Sequence, residues 1–196
     1  MTARTIWLEE GRVWLRVARP SWIDPLDASH AARRGGRWNP PDSFPTLYLN
    51  ADLETAKLQI VRMLDGYPAD IDDLEDDAYT LVAATLPRKQ VCADAVRDAG
   101  LRTLGLPRSY PLDDGDAPVP RTTCQRVGAD VHAVGLRGVL CRSAITADGR
   151  GREVAWFPAT RRSRAKAVWP EPRPLGDWRD AGGWVDLDLP ARADTL

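Results

Sequence analysis

The 196-residue chain contains no uninterrupted apolar run of about 18 residues, no Gly-x-Gly-x-x-Gly loop, no Gly-x-x-x-x-Gly-Lys-Ser/Thr loop, and only three cysteines. The first absence excludes a transmembrane helix. The N-terminal stretch Met1-Thr2-Ala3-Arg4-Thr5 leads into Glu9-Glu10 rather than into an apolar signal core, so a cytoplasmic protein with no membrane partner is expected. The missing glycine loops remove the two commonest nucleotide cradles. Cys92, Cys124 and Cys141 are odd in number and widely spaced, which fits neither a disulfide framework nor a paired metal site; buried free thiols are expected. His30 and His132 lack partners at metal-ligand spacing, so structural roles are expected for both, and no metal. With a formal net charge of -1 the chain has no global attraction for nucleic acid, and direct nucleic-acid binding is not expected.

What is present is an ordinary globular composition, 43% hydrophobic and 28% charged, in a chain long enough for one core. Charge is segregated. Arg33, Arg34 and Arg37 cluster early, and Arg161, Arg162 and Arg164 cluster late. The acidic run from Asp70 to Asp77 between them reads as a solvated loop, or else as a docking edge for a basic partner.

Apolar and polar side chains alternate over Ile6–Leu8 and Arg12–Val17, which predicts a hairpin whose second strand carries Arg16. Pro20 to Pro45 is rich in Pro, Gly, Asp and Ser and reads as a structured loop long enough to be functional. A strand over Thr46–Leu49 precedes a helix capped at Asn50 or Asp52, with Leu53, Ala56, Ile60 and Met63 on one stripe and Gln59 at its edge, facing the sheet. Further on, the pattern predicts a strand at Tyr79–Leu86, a helix at Val91–Ala99 and an irregular connection over Leu106–Arg121. A helix capped by Thr122 or Thr123 follows, then strands at Val139–Cys141 and Glu153–Phe157, and a last β segment at Trp184–Leu189. Strands and helices mix without strict alternation, so the fold class is α+β.

Arg34-Gly35-Gly36-Arg37-Trp38-Asn39-Pro40-Pro41, then Phe44-Pro45-Thr46-Leu47-Tyr48-Leu49 and a helix opening Leu53-Glu54-Thr55-Ala56, is similar to the signature of RES-domain toxins. A second block, Thr122-Thr123-Cys124-Gln125-Arg126-Val127-Gly128 with Gly138-Val139-Leu140 and Ser143-Ala144, resembles that family's later helix and strand. The resemblance implies a single domain with an ADP-ribosyltransferase-like core of antiparallel strands around a cleft for NAD, flanked by helices. It covers roughly residues 12–160 of a domain expected over 5–160, leaving 161–196 as a Trp- and Pro-rich extension packed on the same domain.

By the same resemblance the chain is a toxin that consumes NAD by hydrolysis, phosphorolysis or ADP-ribosyl transfer. An Xre-like antitoxin is the implied partner, and a second copy of the chain is another candidate. Carried over residue by residue, Arg16, Arg37, Trp38, Tyr48 and Thr122 contact NAD, with packing as the alternative for Trp38. Arg37, Tyr48, Gln59 and Thr122 form the catalytic set. Guanidinium forks suit diphosphate oxygens, and a phenol ring can stack on nicotinamide or ribose. Three positions depart from the family pattern: Val17 replaces an aromatic residue, Thr122 a serine and Gln59 a glutamate. The last matters most, because cleaving the nicotinamide–ribose bond builds positive charge that a carboxylate stabilises and an amide does not. A RES-like binding or regulatory module with weak or no catalysis is therefore the alternative. Restoring the carboxylate by Gln59→Glu is expected to raise turnover.

Overall fold

The computed structural model describes residues 3–146 and 148–189. Nine strands form one mixed sheet: β1 (Thr5–Trp7), β2 (Val13–Ala18), β3 (Leu47–Asn50), β4 (Thr80–Thr85), β5 (Val91–Ala95), β6 (Gly138–Arg142), β7 (Arg152–Trp156), β8 (Lys166–Ala167) and β9 (Arg173–Pro174). Their order is β1-β5-β6-β7-β3-β2-β4-β8, with β9 also on β4. Every pairing is antiparallel except β5 with β6. Four helices flank it: α1 (Ser29–Arg34), α2 (Leu53–Met63), α3 (Asp98–Thr103) and α4 (Arg121–Ala133). The α+β class read from the sequence is the observed one.

The core divides by sheet face. On one face α3 and α4 bury Leu101, Cys124, Val127 and Val131 against Ala93, Val139, Cys141 and Ala155. Farther along, α2 packs Leu53, Ala56 and Ile60 against Leu15, Leu81 and Ala83. β8 and β9 extend the sheet beside β4, and Leu175, Trp178 and Leu187 are buried in the α2 cluster. The three cysteines are free and buried, as expected.

Several local expectations are corrected. β1 does not form a hairpin with β2; it pairs with β5 near the opposite end of the sheet, because both edges of β2 are taken by β3 and β4. The Pro20–Pro45 loop contains α1, started by Asp27 accepting from the Ser29 amide and stopped at Gly35 with φ 71°. Val91–Ala95 is a strand. Asp94 then turns the chain by accepting from the Val96 and Arg97 amides, so the following helix is α3 and Gly100 lies inside it. α4 begins after Pro120 without a side-chain cap, so neither Thr122 nor Thr123 serves as one. Trp184–Leu189 holds a 3-10 turn, Val185–Leu187, because Asp186 draws in the Gly182 and Gly183 amides. Residues 190–196 of the expected extension lie outside the described residues.

Candidate functional site

β2 and β3 share a single register pair, Leu15↔Asn50. Past it, Arg16–Ala18 continues against β4, while Leu47–Leu49 continues against β7. The strands part, and a cleft of about 550 Å³ opens there, lined by Arg16 and Val17 on one side and Tyr48 and Asn50 on the other. α2 contributes Gln59, Arg62 and Met63, and the loop before α1 contributes Trp22. Arg37, Arg121, Pro111, Leu112 and Thr146 are among the other lining residues, and Glu153 on β7 is another. Its volume is that of a small-molecule site.

The Gly35–Arg37 turn is held from three sides. The Tyr48 hydroxyl accepts from the Trp38 amide at 2.8 Å and donates to Asn39 Oδ1 at 2.8 Å. Arg121 Nε and Nη2 donate to the carbonyls of Gly36 and Gly35 at 3.1 and 2.9 Å, and Gln125 Nε2 donates to Gly36 O at 2.9 Å. A Cβ on Gly36 would lie 2.1 Å from the Tyr48 hydroxyl oxygen, so only glycine allows this approach. The two sequence blocks separated by some 85 residues are thus joined at the cleft wall. Burial drives the Tyr48 phenol well above its ordinary range. It is a neutral, fixed wall rather than a proton donor with a free hydrogen.

Arg37 is half-buried; its Nε donates to the Tyr110 hydroxyl at 3.1 Å and Nη2 to Val119 O at 3.3 Å. Arg16 stands with its guanidinium 5.3 Å from the Trp22 ring centroid. Its Nη1 is buried and has no hydrogen-bond partner among the described residues. Desolvation lowers the Arg16 pKa to about 10, with Asp24 and Asp27 opposing, so the charge persists at neutral pH. A buried cationic donor without a partner is costly unless a ligand supplies the acceptor.

Arg16, Arg37, Tyr48 and Gln59 therefore line one cleft from four elements, β2, the turn after α1, β3 and α2. Two expected members do not. Trp38 is fully buried in the core beneath the turn, where Gly128 packs against its carbonyl, and its ring meets Tyr110 rather than the cleft. Thr122 is exposed on the first turn of α4. The helix buries Cys124, and two residues of about 100° each turn Thr122 to the opposite side, leaving Arg121 to reach the cleft.

Sequence reasoning missed Trp22, Asn50, Arg121 and Glu153 as lining residues. Only Glu153 carried a signal, as an acidic residue at the start of an otherwise apolar strand. The buried Ser143 hydroxyl makes a short hydrogen bond to Glu153 Oε1. Burial raises the Glu153 carboxyl above the usual glutamate range, Ser143 and Arg37 partly offset this, and Asp52 adds to it. Among the described residues there is no cluster of His, Cys, Asp and Glu fit to hold a metal ion. No helix in the described residues is long and apolar enough to cross a membrane.

Residues 13–177 match the RES domain family. The NAD(+) phosphorylase MbcT proteins of Mycobacterium tuberculosis and Mycobacterium bovis are 26% identical to the chain over 121 residues. That match spans 62% of this chain and 62% of each relative, less than two thirds of their length. In the solved structures, the M. tuberculosis MbcT–MbcA toxin–antitoxin complex contains a chain with the same fold. The TM-score is 0.67 at 24% identity, covering 87% of this chain and 86% of that one.

Proposed function

Since the chain belongs to the RES domain family, we propose that its cleft binds NAD and breaks the nicotinamide–ribose bond, with phosphate as the acceptor. Arg16 carries this reading: a charged, buried guanidinium nitrogen with no partner among the described residues, at the rim of a cleft of small-molecule size. Arg37, Arg62 and Arg121 line the same cleft. This cationic wall suits a diphosphate, which guanidinium groups bind in bidentate fashion. Tyr48, held by two hydrogen bonds, offers a rigid ring for stacking against the sugar or the base. Phosphate is chosen over water and protein acceptors because the relatives that share this region are NAD(+) phosphorylases.

The partner reading follows the same line. The fold is shared with a toxin from a toxin–antitoxin complex, so an antitoxin protein, of the Xre-like type, is proposed to hold the chain inactive in the cytoplasm. Incubating the purified chain with NAD, with and without inorganic phosphate, tests the catalytic reading. The expected outcome is release of nicotinamide with formation of an ADP-ribose phosphate ester only when phosphate is present. Release of free ADP-ribose at the same rate without phosphate would make water the acceptor, and intact NAD in both mixtures would leave only a binding module.

A further inference from the structure

The cleft presents four arginines, Arg16, Arg37, Arg62 and Arg121, but among its described lining residues only one acidic side chain, Glu153. The α2 position at which the family resemblance leads one to expect a carboxylate holds Gln59, in the same cleft. Glu153 sits on β7 near the middle of the sheet, where β7 is flanked by β3 and β6. Its register partners are Asn50 and Cys141. Asn50 lines the cleft as well, so the carboxylate enters the cleft from the sheet, as Arg16 does, while Arg37, Arg62 and Arg121 come from the turn and helices around it. A purely structural role fits it poorly. Ser143 engages one carboxylate oxygen, and the other takes no hydrogen bond from the described residues yet is not among the buried atoms lacking a partner, so it is open to the cleft.

We propose that Glu153, delivered from the sheet rather than from α2, is the carboxylate that faces the sugar and stabilises the positive charge of bond cleavage. The inference rests on the NAD-cleaving reading given above. In the step, the bond between ribose C1 and the nicotinamide nitrogen breaks with its electron pair passing to that nitrogen, and nicotinamide leaves neutral. A phosphate oxygen forms the new C1–O bond, and the proton of hydrogen phosphate stays on the ester or passes to water. Glu153 is ionised throughout and forms no bond. Its negative charge is worth most where water is excluded and where it opposes charge that develops only in the transition state. Ser143 is a positioning residue that fixes the carboxylate.

Titratable groups face Glu153 from each neighbouring segment: Arg37 from the turn, Asp52 from the start of α2, Cys141 from β6 and Tyr48 from β3. Cys141 and Tyr48 are held neutral by burial, so Glu153 is the group whose ionisation turnover follows on the acidic side of its pH profile. Glu153→Gln keeps the shape and can still accept from Ser143. It should lower kcat about 100-fold or more, leave affinity for a non-cleavable NAD analogue unchanged, and flatten the acidic limb of the pH profile. Glu153→Asp, which keeps the charge, should retain more turnover than Glu153→Gln. Native kcat in Glu153→Gln, or equal turnover in the two variants, overturns the proposal. If the native chain binds NAD without cleaving it, the Glu153 assignment falls and the cleft reading stands; if it does not bind NAD, the cleft reading itself has failed.

Discussion

At Glu153, burial raises the carboxyl above the usual glutamate range, and Ser143 and Arg37 restore only part of the preference for charge. The folded chain therefore holds this proton to a higher pH than the unfolded chain, whose glutamate titrates near 4.3 or so. The native state binds more protons between those two values, so stability falls as pH rises through that window and levels off above the folded value. Glu153→Gln removes the ionisation without removing volume. Thermal melting should show the variant and the native chain comparable at about pH 4, and the variant more stable at neutral pH. A variant that melts lower at neutral pH would mean the charge is compensated in the resting fold, contrary to the reading of Glu153 as a stored cost of function.

Between elements, the cleft wall depends on a close backbone approach. α4 crosses the Trp38 segment at Gly128, where a Cβ would come 1.7 Å from the Trp38 carbonyl oxygen. Gly128→Ala must push α4 outward, and with it Arg121 and Gln125, which hold Gly35 and Gly36. A loss of about 1–3 kcal/mol in denaturant unfolding is expected, as for overpacked cores. Gly183→Ala, with nothing within 4 Å of the added Cβ, should change stability by less than about 0.5 kcal/mol. Equal effects at the two sites would contradict this packing account.

The same elements show what the sequence makes legible. The Gly35–Pro41 turn, β3 and α2 are contiguous in the chain and governed by local chemistry: an Asp52 cap, an apolar stripe and a glycine approach to Tyr48. β5 is different. It is buried between β1 and β6 and beneath α3, so Cys92, Ala93, Asp94 and Ala95 are all buried and no alternation marks it as a strand. β1 likewise finds its partner some 86 residues away, beyond any local pattern. At Glu153 the sequence shows only an acidic residue in an apolar strand; that it lies beside Asn50 and in the same cleft as Gln59 depends on the fold.

On the scale of the whole molecule, the functional design is a sheet whose strands part between β2 and β3, opening a cleft with four arginines and, among its described lining residues, one acidic side chain. Arg16, Arg37, Tyr48, Gln59 and Glu153 meet there from segments spread over most of the chain. Such a site exists only in the folded state, so a ligand that fills it stabilises the whole domain by mass action. The proposed antitoxin would act at this scale, and co-expression with an Xre-like antitoxin should restore NAD levels that the chain alone depletes. The most direct test of the account is calorimetric titration of the native chain, Arg16→Ala and Arg37→Ala with a non-cleavable NAD analogue. One analogue should bind per native chain, and each substitution should weaken binding by about 1.5–3 kcal/mol, the worth of a lost charged hydrogen-bonding group. Unchanged affinity in both variants, or no binding to the native chain, would contradict the assignment of this cleft as the NAD site.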